Sequence, residues 1–102
     1  METYNKLVRD KIPEILDKKG IIYEKRIASK KEYKIALIKK LEEETQEFQE
    51  EGSPEELADV LEVVKALLKL PDYKNVEKIR IQKEKERGSF NKKIILKGSK
   101  YK

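Results

Sequence analysis

Four carboxylates stand out by type and spacing. Glu44 and Glu47 are three residues apart in LEEETQEF, residues 41–48, and Glu56 and Asp59 are three apart in EELADVL, residues 55–61. Residues three apart on a helix lie on neighbouring turns of one face. If two helices fold back on each other here, two carboxylate pairs face one another. Four converging oxygen donors without His or Cys suit a hard cation, Mg²⁺ first and Mn²⁺ second. The chain has no Cys, no His and no Trp. That excludes disulfide scaffolds, thiolate or imidazole zinc sites, haem attachment and Ser-His-Asp or Cys-His catalysis. Acid–base and metal chemistry must then come from carboxylates, Lys, Arg or Tyr.

Helical geometry sharpens the choice of carboxylates. At about 100° per residue, Glu44 falls inside the arc of Tyr33, Leu37, Leu41 and Phe48, with Glu47 at its edge. Glu56 falls among Val60, Val63 and Leu67, and Asp59 near Val63, Ala66 and Leu70. Glu42, Glu50, Glu55 and Glu62 point toward polar arcs. A carboxylate on a core-facing stripe is costly unless it is paired, protonated or bound to metal. The competing reading is a solvated or salt-bridged acidic face, with Glu56 closing a capping box on Ser53 and with Lys39, Lys40 or Arg80 neutralising the block.

The elements that must position these residues are helices. Ser29 and Glu32 form an S-x-x-E start, and the pattern runs from Lys30 to Glu51 and stops at Gly52. Ser53 caps the next helix, Pro54 takes its first position, and Leu70–Pro71 ends it. The connection at 52–54 is so short that the two must form an antiparallel hairpin. A first helix is expected near 10–19, capped by Asp10 and stopped by Gly20, and a fourth from about Lys74 to Arg87, stopped by Gly88. IIYEKRIA (21–28) and KKIILK (92–97) read as short strands able to pair as a ribbon beside the bundle. The closing GSKYK reads as frayed. The expected fold is all-α: an antiparallel bundle of about four helices with a minor two-stranded ribbon, in one domain spanning 1–102.

Charge and composition set the context. The chain of 102 residues is 44% charged and 37% apolar, so its core is thin and oligomerisation would bury more surface. Its net charge of +5 divides into −10 over residues 42–62, where no Lys or Arg occurs, and +15 over the rest. The basic remainder fits a phosphate or nucleic-acid partner, but ten acidic residues in one block disfavour nucleic acid. No apolar run approaches a membrane span. METYNKLVRDK has no apolar leader, which gives a cytoplasmic expectation. The abundance of Glu, Lys and Ile fits a thermophile's ion-pair-rich composition. Lys6, Arg9 and Lys11 near the start, and Arg87 beside Gly88, are cations able to grip phosphate. Phe90 reads as a core or interface anchor.

E-E-x-x-E followed by E-x-x-D, here Glu43-Glu44-Thr45-Gln46-Glu47 and Glu56-Leu57-Ala58-Asp59, resembles the MazG-like all-α nucleotide pyrophosphohydrolase superfamily. YNKLVRDKIPEIL, residues 4–16, resembles the start of a small branch of it related to phosphoribosyl-ATP pyrophosphohydrolase. Arg87-Gly88-Ser89-Phe90 departs from that branch's R-G-G-F by one Ser. The resemblance covers roughly residues 4–96. It implies Mg²⁺-dependent cleavage of a nucleoside triphosphate between the α- and β-phosphates, giving a monophosphate and pyrophosphate, as a house-cleaning or phosphoribosyl-ATP-type activity. It implies Glu44, Glu47, Glu56 and Asp59 as metal ligands, and Glu43 as a catalytic residue near the metal that positions water, with Glu44 beside it. Lys6, Arg9, Lys11 and Arg87 would hold substrate phosphates, and the chain would form a homodimer or homotetramer. The alternatives are a basic helical nucleic-acid-binding protein and a catalytically silent regulatory relative.

Overall fold

A computed structural model describes residues 5–98. Its centre is a helical hairpin whose ends are fixed by local chemistry. α2 spans Lys30–Glu51, and its first turn is closed by Glu32 N–H donating to Ser29 Oγ at 3.2 Å. α3 spans Pro54–Leu68, with Glu56 N–H donating to Ser53 Oγ at 3.2 Å. Between them Gly52 takes φ 63° and ψ 18°, and its N–H reaches Phe48 O at 2.7 Å. A left-handed residue at the end of a helix favours glycine, which has no Cβ to clash there. With so short a turn α3 must return along α2, and these two helices form the principal packing of the chain.

Two shorter helices flank the hairpin. α1 spans Ile12–Lys18 and α4 spans Val76–Arg87. The cap of α1 is Lys11, not Asp10, and it uses no side-chain bond. Lys11 already has helical φ and ψ, so Asp10 lies one residue too early to serve. A 3-10 turn, Pro71–Tyr73, follows α3. It is pinned to α2 by an ion pair between Lys34 and Asp72, with the Lys34 ammonium 5.4 Å from the centre of the Tyr73 ring.

The all-α architecture is as expected, with four α-helices among the described residues. The ribbon is not. Residues 21–29 and 93–97 lie outside the helices, but no strand forms among the described residues, and Lys93 takes a left-handed φ of 60°. A lone two-stranded ribbon is marginal in water, and α4 separates these segments in the chain without packing them together. Every residue of α4 is exposed, as is Phe90, which is therefore no core anchor within its own chain. Tyr4 and residues 99–102 lie outside the described residues, and with them the first residue of the YNKLVRDKIPEIL segment and all but Gly98 of the GSKYK segment expected to fray.

The core is thin. Leu37 on α2 and Val63 on α3 are the buried apolar side chains among the described residues. The accessible surface is 10180 Å², against about 6,000 Å² for a compact chain of this mass. The radius of gyration is 18.0 Å, against about 13 Å for a compact domain of 100 residues. With so few central contacts, Leu37→Ala is expected to cost about 2–5 kcal/mol, a large share of an ordinary domain's stability. Urea unfolding checks this; a loss under about 1 kcal/mol would mean that Leu37 is not the keystone of the hairpin.

Candidate metal centre

The hairpin brings the acidic block together from both sides. Glu44 of α2 is buried, 8% exposed, although it is charged. It shares the face of Leu37, as the helical phase of the sequence requires. Glu56 and Asp59 lie one turn apart near the start of α3 and are half-buried. One oxygen from each of Glu44, Glu56 and Asp59 falls within 4.8 Å of the others. Glu47 stays outside this trio but adds its charge to Glu56. Glu42, Glu50, Glu55 and Glu62 are exposed, in keeping with their polar arcs.

The hydrogen-bond balance of the cluster is incomplete. Glu44 Oε2 and Glu56 Oε2 are buried and have no hydrogen-bond partner. Buried carboxylate oxygens normally find donors. Glu56 does not return its carboxylate to Ser53, so the cap uses Ser53 in one direction only. Glu32 differs, because its carboxylate takes both arms of the Arg26 guanidinium at 2.6 and 2.5 Å. Two orphaned oxygens on residues of a three-carboxylate cluster make a donor set that fits a hard divalent cation.

Cations from elsewhere in the chain reach the edge of the cluster. Arg9 donates to Asp59 Oδ1 at 2.7 Å, and Lys6 to Glu43 Oε1 at 3.1 Å. Lys40, one turn before Glu44, lies 3.5 Å from Glu44 and 3.6 Å from Glu43. Of the neutralising residues considered from sequence, Lys40 is therefore in place. Arg80 is engaged by Glu77 and Glu84 within α4 instead. Lys6 and Arg9, read from sequence as phosphate holders, sit against the carboxylates. Lys11 and Arg87 are exposed and make no ion pair with the cluster. Sequence reasoning missed both long-range pairs, whose partners are 37 and 50 residues apart. The only available signal was a basic segment and an acidic segment in one short chain.

The electrostatics divide the acids. Glu43 is held below the ordinary carboxylate range, chiefly by the Lys6 hydrogen bond and further by Lys40, against a smaller opposing effect of burial. It is a carboxylate at neutral pH. Glu56 is pushed up, first by removal from water and then by the negative charges of Glu47, Glu51 and Asp59. A carboxyl raised in the folded state favours folding when protonated. Its contribution is complete below the unfolded value of about 4.3 and is lost as pH rises through the folded value. The metal-free protein is therefore expected to lose stability relative to Glu56→Gln as pH increases from 4 to 7. Melting curves of the two proteins check this. A constant gap between them would mean that Glu56 is not strained.

Comparison with family models, curated proteins and solved structures gave no match to this chain. No helix among the described residues is long and apolar enough to cross a membrane.

Proposed function

We propose that this chain is a Mg²⁺-dependent nucleotide pyrophosphohydrolase of the MazG-like kind, acting in the cytoplasm on a nucleoside triphosphate. The observation that carries the reading is the convergence of Glu44, Glu56 and Asp59 with two buried, unpartnered oxygens. Those three residues would hold the ion, with Glu47 adjacent, and Mn²⁺ is the alternative metal. The cation, when bound, would neutralise phosphate charge and make water more acidic.

The chain's own groups supply the rest. Glu43, kept ionised by Lys6 and Lys40, can orient a water and accept its proton. As water adds across the α–β anhydride, the P–O bond between the two phosphates breaks, giving a nucleoside monophosphate and pyrophosphate. Lys6 and Arg9 stand at the mouth of the cluster. By trading a carboxylate for phosphate oxygens they would stabilise charge on the leaving pyrophosphate. Lys11 and Arg87 could join them only after movement.

Self-association belongs to the same proposal. Leu57, Leu61, Val64 and Leu68 fall within an arc of about 60° on α3, spaced four, three and four residues apart. Leu57, Leu61 and Leu68 are exposed. Such spacing suits a helix-packing seam, and a homodimer or homotetramer is the assembly we propose.

One observation favours a second reading, that of a silent regulatory relative: Arg9 and Lys6 already neutralise Asp59 and Glu43. A panel of nucleoside triphosphates with Mg²⁺, assayed for pyrophosphate, separates the two. Pyrophosphate release supports the hydrolase. No release, with no Mg²⁺ or Mn²⁺ binding by calorimetry, supports the silent reading.

A further inference from the structure

The two segments whose composition suits strands remain unused within their own chain. Ile22 and Ile27 in the first are 98% and 93% exposed, and Ile95 and Phe90 in and beside the second are 92% and 96% exposed. Among the described residues no backbone–backbone hydrogen bond joins residues 22–28 or 94–97 to another segment. Backbone with open donors and acceptors beside exposed apolar side chains is a template for strand addition.

The chain is built to present the second segment at a distance. α4 has 12 residues, a rod of about 18 Å, with no buried residue. Its turns are tied by side-chain bonds: Arg80 bonds Glu77 at 2.6 Å and Glu84 at 3.0 Å, and Gln82 bonds Glu86 at 3.0 Å. At its end Gly88 has φ 80° and ψ −178°, a conformation essentially restricted to glycine. It turns the chain off the helix axis, and a further turn brings Lys93 N–H to Phe90 O. The apolar run 94–96 therefore follows an elbow at the end of an exposed helix.

We infer that the C-terminal arm is exchanged between copies: residues 94–97 of one chain add as a strand to residues 21–28 of a second copy. A second copy is the occupant that the surface requires. The excess of roughly 4,000 Å² per chain over a compact chain exceeds the roughly 1,000–2,500 Å² that each partner buries in an obligate interface, so there is surface enough for both a seam and an arm. The α3 seam accounts for part of it, but not for isoleucines stranded on both unpaired segments. The inference rests on the self-association proposed above and adds where the arm goes.

The absence of cysteine makes the test clean. Single variants Ile21→Cys, Ile22→Cys and Tyr23→Cys are mixed in turn with Ile94→Cys, Ile95→Cys and Leu96→Cys under mild oxidation. At least one mixed pair is expected to give a disulfide-linked species of twice the chain mass, at least tenfold faster than either variant alone. The double variant of that pair should link between chains, not within one. Sedimentation of the unmodified protein is run alongside. If it is monomeric, both self-association and arm exchange fail. If it is oligomeric but no pair links faster than its single variants, or the double variant closes within a monomer, arm exchange is overturned and the α3 seam stands.

Discussion

Glu56→Gln is expected to abolish divalent-cation binding and pyrophosphate release while making the metal-free protein more stable at neutral pH. The two effects have one cause. Glu56 is removed from water, faces Glu47, Glu51 and Asp59, and keeps Oε2 without a donor. A neutral amide of the same shape relieves the repulsion and supplies N–H donors to the neighbouring acids. It also removes one of three anionic ligands, for which a loss of at least about 100-fold in metal affinity is expected. Calorimetry with Mn²⁺ and melting of the metal-free protein at pH 7 read the two effects separately. Asp59→Asn should match it in lost binding but differ in stability, because it releases Arg9 from its 2.7 Å ion pair. That pair is exposed and worth at most about 1 kcal/mol, so the variant should gain nothing. If both variants bind metal and turn over like the parent, the assigned centre is wrong. If Glu56→Gln loses binding without gaining stability, the site stands but the strain does not.

Leu61→Lys is the second large effect. Leu61 is 61% exposed and lies midway along the α3 stripe of Leu57, Leu61, Val64 and Leu68. Burying a leucine contributes about 1.5–3 kcal/mol per copy, and a lysine in the same seam leaves an unpaired charge away from water. In a symmetric pair the substitution acts twice. The mass in solution should fall to that of one chain, with a marked loss of thermal stability. The parent's melting temperature should rise with protein concentration, and that of Leu61→Lys should not. A parent whose mass and melting temperature ignore concentration would sink the seam. Metal binding offers an independent control, since Glu44, Glu56 and Asp59 all come from one chain.

Much of the hairpin was legible in the sequence. Ser29, Gly52, Ser53 and Pro54 fix helix ends through bonds spanning three or four residues, and these marked the bounds of α2 and α3 closely. Phase along a helix is equally local. It placed Glu44 on the buried side with Leu37 and kept Glu42, Glu50, Glu55 and Glu62 exposed. A short turn then left the chain one way to return, so opposition of the two acidic pairs followed from the sequence.

The rest depended on distant segments. Glu47 shares the spacing of the other three acids and reaches Glu56 across the hairpin, yet it does not join the trio. The partners of Asp59 and Glu43 come from the N-terminal segment, and no periodicity specifies where a loop delivers Arg9 and Lys6. The strand-like composition of 21–28 and 92–97 did not give strands among the described residues: Lys92 lies in a turn and Lys93 takes a left-handed φ of 60°. A ladder needs a second strand at the right place, and within one chain α4 does not provide it. Composition and local bonds determine what each segment is. Only the tertiary structure decides which segments meet, because loop paths and burial are set by the whole chain at once.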